Sequence, residues 1–144
     1  MERTIGHIAE FEKTFSPEDV ALFSSISNDN NPIHLDAEYA EKSIFGRRVV
    51  HGLLVSSLFS KIFGTIYPGS GSIYLTQNVK FLKPAFVGEN LKAVITLIEI
   101  EENSNLSEGS EIKNRGNFIT EVFNMSDQKL ITGEAIILFP NVEI

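Results

Sequence analysis

Apolar and polar residues alternate at the start of the chain: Ala9, Phe11, Lys13 and Phe15 interleave with Glu10, Glu12 and Thr14. A period of two predicts a half-covered strand. It stops at Ser16-Pro17-Glu18-Asp19. A capping serine, a proline suited to the first helical position and two acids for the positive end of the helix dipole mark a helix start. Val20, Phe23 and Ile26 then recur every three residues, predicting a short amphipathic helix from about Pro17 to Ser25. The following SNDNNPIHLD is dense in turn formers. Pro32 pushes Asn31 away from helical dihedrals, so Asp29 to Pro32 reads as an ordered loop. Asp36 can cap a further short helix over Ala37 to Lys42.

Val50 to Phe63 is apolar around most of its circumference, broken only by small or isolated polar residues, and ends at Gly64 before a Pro68-Gly69 turn. A helix with that pattern is predicted to be buried. Everything after it reads as sheet. Ile73, Leu75, Gln77, Val79 and Phe81 alternate; Lys83-Pro84 and Val87-Gly88-Glu89 connect to a strand over Leu91 to Ile100. Further strands follow over Phe118 to Met125 and Leu130 to Phe139, and the polar stretch Glu101 to Asn117 reads as a loop or flexible hairpin. One buried helix followed by four antiparallel strands, with a fifth ahead of it, predicts an α+β layer fold in which a curved sheet wraps a central helix. No repeat or linker divides residues 1–144, so a single domain is expected.

Composition narrows the function classes. Nineteen acidic against twelve basic residues give a formal charge of −7. That argues against nucleic acid, which needs a basic face to displace counterions. The absence of cysteine removes disulfide frameworks, zinc ribbons and thiol nucleophiles together. The first residues carry both charge signs and do not resemble a signal peptide. The apolar stretch Val49 to Tyr67 is interrupted by His51, Lys61, serines and glycines, which argues against a bilayer span. A cytoplasmic protein without membrane attachment is expected.

Candidate chemistry gathers at two places. His34 lies five residues after Asp29 on a stretch stiffened by Pro32, and Ile33 and Leu35 can anchor the segment while the imidazole points elsewhere. A carboxylate and an imidazole so placed can share a water, one side taking a proton and the other giving it. Asp–His contacts are also common without catalysis, and spacing alone favours that structural role. His51-Gly52 opens the buried helix, where the first N–H groups lack internal partners at the positive end of the dipole. Gly52 lets a carbonyl oxygen approach its N–H closely, as an oxyanion hole requires. Asp29, His34 and His51 could also form a two-His-one-carboxylate metal site, a reading no motif supports. His7 sits in a polar strand and suggests no role. No phosphate-binding glycine loop and no G-x-S-x-G elbow is present.

Asp29-Asn30-Asn31-Pro32-Ile33-His34-Leu35-Asp36, then Phe45-Gly46-Arg47 and Val50-His51-Gly52, resembles the signature of the MaoC-like (R)-specific enoyl-CoA hydratases. Gly71-Ser72-Ile73-Tyr74-Leu75, Val87-Gly88-Glu89 and Gly133-Glu134-Ala135 fit as well, so the resemblance runs from about Phe15 to Pro140. It implies a hot-dog fold and syn hydration of a trans-2-enoyl thioester to an (R)-3-hydroxyacyl thioester, with the reverse dehydration. By the same resemblance Asp29 and His34 are the catalytic pair, the Gly52 N–H polarises the thioester carbonyl, and Asn31 and Ser60 support the site. Phe63, at the helix end, is expected to shorten an acyl tunnel. No metal and no cofactor are implied, since the coenzyme A or acyl-carrier-protein thioester is the substrate; a homodimer is implied. The chain departs from the pattern at Asn28, where glycine is usual, and at Arg48, where proline is common. An acyl-CoA thioesterase and a non-catalytic acyl-thioester-binding subunit are the alternatives.

Overall fold

The structure, a computed structural model, describes residues 4–102 and 112–141. Strand β1 (Ile8–Thr14) leads into α1 (Pro17–Ser27), two short helices, α2 (Pro32–Leu35) and α3 (Ala37–Glu41), and the long α4 (Gly52–Thr65). Five strands follow: β2 (Ile73–Gln77), β3 (Lys80–Phe81), β4 (Asn90–Glu102), β5 (Ile112–Asn124) and β6 (Lys129–Pro140). They form one antiparallel sheet in the order β1-β4-β5-β6-β2, with β3 also on β6. Among the described residues no helix is long and apolar enough to cross a membrane.

The core forms between α4 and one face of this sheet. Leu91, Ala93, Ile95 and Leu97 of β4 are fully buried at alternate positions, as are Phe118, Thr120 and Val122 of β5. Val55, Leu58, Phe59, Ile62 and Phe63 of α4 meet them, spaced three and four apart on one helical face. Each such side chain contributes about 1.5–3 kcal/mol by leaving water.

Several expectations need correction. The expected curved antiparallel sheet on a central helix is present, with six strands where about five were expected, because the alternation from Ile73 to Phe81 is split at Asn78. Asn78 pairs with β6 through both backbone and side chain: its N–H donates to Glu134 O (2.9 Å), and its Oδ1 accepts from Glu134 N (3.0 Å). Strand β5 begins at Ile112, six residues before the apolar alternation suggested. There the buried Asn114 donates to Phe139 O and Pro140 O. Gly116 leaves room for Phe118, whose ring would lie 2.8 Å from an added Cβ. Of the expected loop from Glu101 to Asn117, residues 103–111 lie outside the described residues.

Helix α4 starts at Gly52, not Val50, and is buried on one side only: Leu53, Ser57, Ser60, Lys61 and Gly64 face outward. The residues ahead of it form an extended strip. Val49 N–H donates to Ile33 O (3.2 Å), Val50 N–H to Ala85 O (2.8 Å), and Val87 N–H to Arg48 O (3.1 Å). The strip therefore runs between α2 and the segment that follows β3, and it delivers the N-terminus of α4 beside the Asp29 loop.

Candidate active site

Helix α1 is started by a capping box, in which Ser16 Oγ accepts from Asp19 N while Asp19 Oδ2 accepts from Ser16 N. The Ser16 N–H holds the Asp19 carboxyl below its ordinary range, with Lys13 adding to the effect. The helix ends at Asn28, whose left-handed φ of 62° turns the chain. Asparagine adopts that region more readily than most residues, so it can stand where glycine is usual. Beyond the turn, Asp29 Oδ1 accepts from Asn31 N (3.3 Å), and Asn31 Oδ1 caps α2 through Ile33 N (3.2 Å). Asn31 thus acts on the loop's shape. The bond to Asn31 directs the other carboxylate oxygen of Asp29 towards two imidazoles.

Oδ2 of Asp29 lies 4.0 Å from His34 Nε2 and 3.9 Å from His51 Nε2. Both separations exceed a hydrogen bond, and one water can contact groups this far apart. His34 Nδ1 is 2.7 Å from Val49 O. A carbonyl only accepts, so Nδ1 carries the hydrogen and Nε2 of the neutral ring presents a lone pair towards Asp29. The arrangement sets a proton acceptor against a carboxylate across one water's width.

His51 is the N-cap of α4, and its side chain is 3% exposed against 52% for Asp29. Its Nε2 lies 3.1 Å from Asp29 O and 3.1 Å from Ser24 Oγ. The carbonyl again places the hydrogen on Nε2, leaving a buried Nδ1 that has no partner among the described residues. The ring stacks on His34 with centroids 3.7 Å apart, and Phe23 meets it edge-on at 4.7 Å. Burial pushes the His51 pKa down, and the nearby His34 adds to this; the Asp29 carbonyl and carboxylate pull the other way. His51 is therefore a neutral wall and strut of the site.

Val55 N–H makes the first bond within α4, to His51 O, so the amides of Gly52, Leu53 and Leu54 precede the ladder. Gly52 faces the ring of Phe81: an added Cβ would lie 2.5 Å from Cε1 and 2.8 Å from Cδ1. Any larger residue would have to displace that ring, and glycine also leaves its N–H accessible. A cavity of about 590 Å³ unites Asp29, His34, His51 and Gly52 with the apolar walls Phe23, Phe81 and Ile131.

The structure thus brings together Asp29, His34 and Gly52 and leaves other expected residues elsewhere. Ser60 is exposed on α4, about 12 Å along the helix from Gly52 at 1.5 Å per residue, and does not line the cavity. Phe63 is also absent from the cavity wall. It is 1% exposed and packs edge-on against Phe118 and Tyr74, at 4.9 and 5.3 Å between centroids, as a residue of the core. His7 packs its ring against Tyr67, away from the site. The sequence named the His51 side chain only as a candidate metal ligand; its bonding to Ser24 and to the Asp29 carbonyl was not foreseen. A second histidine beside the helix start was a visible signal; nothing marked Ser24.

Asp29, His34 and His51 each offer a ligand atom within 4.8 Å of the others. Binding a metal through His51 Nε2 would break its bond to the Asp29 carbonyl, so one of the three donors is already committed to holding the loop.

A family model for the MaoC like domain matches residues 2–115. An (R)-specific enoyl-CoA hydratase of Aeromonas caviae is 35% identical over 136 residues, 94% of this chain and 95% of that protein. A mitochondrial 3-hydroxyacyl-[acyl-carrier-protein] dehydratase of Arabidopsis thaliana is 33% identical over 141 residues, 97% of this chain and 80% of that one. Among solved structures, the Aeromonas caviae (R)-hydratase superposes with a TM-score of 0.83 at 36% identity, covering 95% of this chain and 97% of the other. An unliganded R-hydratase from Pseudomonas aeruginosa gives 0.83 at 34% identity, covering 98% and 87%.

Proposed function

This chain belongs to the MaoC-like domain family, and from that premise we propose how its residues add water to trans-2-enoyl thioesters and remove it from (R)-3-hydroxyacyl thioesters. The protein is a hydro-lyase of the hot-dog fold. The observation that carries the mechanism is that the Asp29 carboxylate, the lone-pair nitrogen of His34 and the Gly52 N–H open onto one cavity.

A water held between Asp29 Oδ2 and His34 Nε2 is aimed at C3 of the enoyl group. As its oxygen bonds to C3, its proton passes to His34 Nε2, and the electron pair of the C2–C3 double bond moves towards the carbonyl. The enolate oxygen then rests on the Gly52 N–H at the positive end of α4. The proton returns from the Asp29–His34 pair to C2 on the face from which water came, and syn addition follows. Besides the addition of the water oxygen to C3, the residues need supply only proton transfer and hydrogen bonding, because the conjugated thioester is already electrophilic.

The carrier is coenzyme A or acyl carrier protein. A homodimer is the assembly we infer. Edge strand β2 and the segment after it expose Ile73, Tyr74, Leu75, Phe81 and Leu82, an apolar edge of the kind that folded proteins cover. Phe81 also walls the cavity, so a partner seated there would lie close to the acyl thioester.

Loss of the conjugated absorbance of crotonyl-CoA, with chiral analysis of the product, tests the reading. Asp29→Asn and His34→Gln should each lower kcat by about 10²–10⁴-fold, the span of general acid–base catalysis, while the melting transition stays cooperative. Wild-type turnover in either variant, or an (S) product, would refute it.

A further inference from the structure

The strip that leads into the oxyanion helix has a second cavity at its other end. This space of about 420 Å³ is lined by Ala37, Glu41, Gly46, Arg47, Arg48 and Val87. The antiparallel pairing of Arg48 and Val50 with Val87 and Ala85 joins the two cavities, since Val50 and Ala85 wall the catalytic one. Arg48 and Gly52 are four residues apart, a span of at most about 14 Å in extended chain. Val49, next to Arg48, supplies the carbonyl that fixes the His34 tautomer.

The two arginines are uncommitted. Lys13, Lys42, Lys92 and Lys129 each meet an acid. Neither Arg47 nor Arg48 has an ion pair or a side-chain hydrogen bond with any of the described residues. On a chain of formal charge −7, that is two unpaired guanidiniums side by side. Arg47 is nevertheless oriented, with its guanidinium carbon 3.8 Å from the centroid of the Phe86 ring. Stacking of this kind leaves the edge donors of the fork free for a planar or tetrahedral oxyanion. Glu41 on the α3 wall offsets one of the two charges, and the cavity keeps a net positive charge.

We propose that Arg47 and Arg48 bind the phosphate of the phosphopantetheine arm that carries the acyl thioester. The proposal rests on the hydratase reading and adds the subsite that recognises the carrier. With the thioester carbonyl at Gly52, an extended pantetheine arm is long enough to follow the Val50–Arg48 strip and bring its phosphate to the guanidiniums. Forked charge-assisted hydrogen bonds suit that group.

The test compares crotonyl-CoA, crotonyl-acyl-carrier protein and crotonyl-pantetheine, which lacks phosphate, in the wild type and in an Arg47→Gln/Arg48→Gln variant. The variant should raise KM for crotonyl-CoA by about ten-fold or more, the lower end of what one charged hydrogen bond is worth. Its kcat should stay within about two-fold, and KM for crotonyl-pantetheine should move less than that. In the wild type, KM for crotonyl-CoA should climb with ionic strength while KM for crotonyl-pantetheine stays flat, a readout that needs no variant to fold. A matching rise with the acyl-carrier substrate supports the assignment to the phosphate both carriers share; a rise with crotonyl-CoA alone would place the pair on the other nucleotide phosphates and overturn it. An equal change on all three substrates, or an unchanged KM for both carriers, overturns the proposal. If the wild type hydrates no crotonyl thioester, the hydratase reading itself fails, an outcome distinct from loss of the subsite.

Discussion

The oxyanion role of Gly52 can be tested by deleting a single N–H group, and the structure indicates how to do so without unfolding α4. Proline at 52 removes the donor, but any Cβ there would fall 2.5, 2.8 and 3.0 Å from three atoms of the Phe81 ring. The ring must therefore be removed first, and Phe81→Ala becomes the reference protein. In that background the backbone accepts proline. His51 has φ −52° and ψ 129°, the extended conformation a residue before proline prefers. Gly52 is the first helical residue, where proline's fixed φ is suitable and the missing N–H had no partner within the helix.

Phe81→Ala/Gly52→Pro should therefore melt within a few degrees of Phe81→Ala. Its kcat should fall by about 10²–10³-fold, equivalent to about 2.7–4 kcal/mol, the usual cost of one oxyanion donor. Phe81→Ala/Gly52→Ala keeps the N–H and adds only a methyl group to the space the ring vacated, so its kcat should remain near that of Phe81→Ala. The assay is initial-rate hydration of crotonyl-CoA, with kcat and KM separated and a thermal melt on each protein. A proline variant as active as Phe81→Ala would refute the assignment of the carbonyl to this amide. Equal losses in the alanine and proline variants would show that space, not the hydrogen bond, is what the position supplies.

Two other predictions concern buried rings. Burial lowers the His51 pKa in the fold, so the unfolded chain takes up a proton near the ordinary value of 6.5 and the folded one only at lower pH. This contribution to stability is complete above that value and drains as pH falls below it, with a slope of at most about 1.4 kcal/mol per pH unit. Urea unfolding between about pH 7 and 5 should show this slope, reduced in His51→Asn; equal slopes in both proteins would refute it. Phe63→Ala should cost about 3–5 kcal/mol in the same assay, as expected for a ring inside the core, and leave the preference between crotonyl and octenoyl thioesters unchanged. A shifted chain-length preference would return Phe63 to the acyl site.

The elements legible in the sequence are those with local causes. Ser16-Pro17 and Asp19 mark the start of α1 because a capping box is made by neighbours. The alternation in β4 is visible because one face of that strand is covered along most of its length. The first part of β5 was hidden because Asn114, Arg115, Gly116 and Asn117 have strand-averse or polar side chains, and pairing with β4 and β6 overrides that preference. The break at Asn78 was hidden for a related reason. A side chain that bonds to Glu134, 56 positions away, leaves no trace in local periodicity. In the site, Asp29, His34 and Gly52 could be read as candidates from the loop and the helix start. The roles of Asp29 and His34 came from the family resemblance, since spacing alone favoured a structural pair. His51 was read for its place at the helix start and as a possible metal ligand, not as a brace, since its partners, Ser24 and the Asp29 carbonyl, come from segments that only the fold brings near.

That bond explains how groups on an exposed loop can hold the positions this chemistry requires. His34 belongs to α2 and donates to the carbonyl of Val49 on the strip, whereas His51 belongs to the strip's end and donates to the carbonyl of Asp29 on the loop. Each segment thus supplies an imidazole that is fastened to the other's backbone, and the two rings stack where they cross. Removing either ring frees a carbonyl and loosens the segment opposite, so the cost of losing His34 includes some loss of position at Val49. The two rings nevertheless differ in what they can exchange with substrate. His34 keeps Nε2 free towards the Asp29 carboxylate, whereas His51 spends Nε2 on the loop and is buried. Cross-bracing of this kind places the supporting groups within one ring's width of the reacting ones, which is what precise positioning on a short, solvent-facing loop demands.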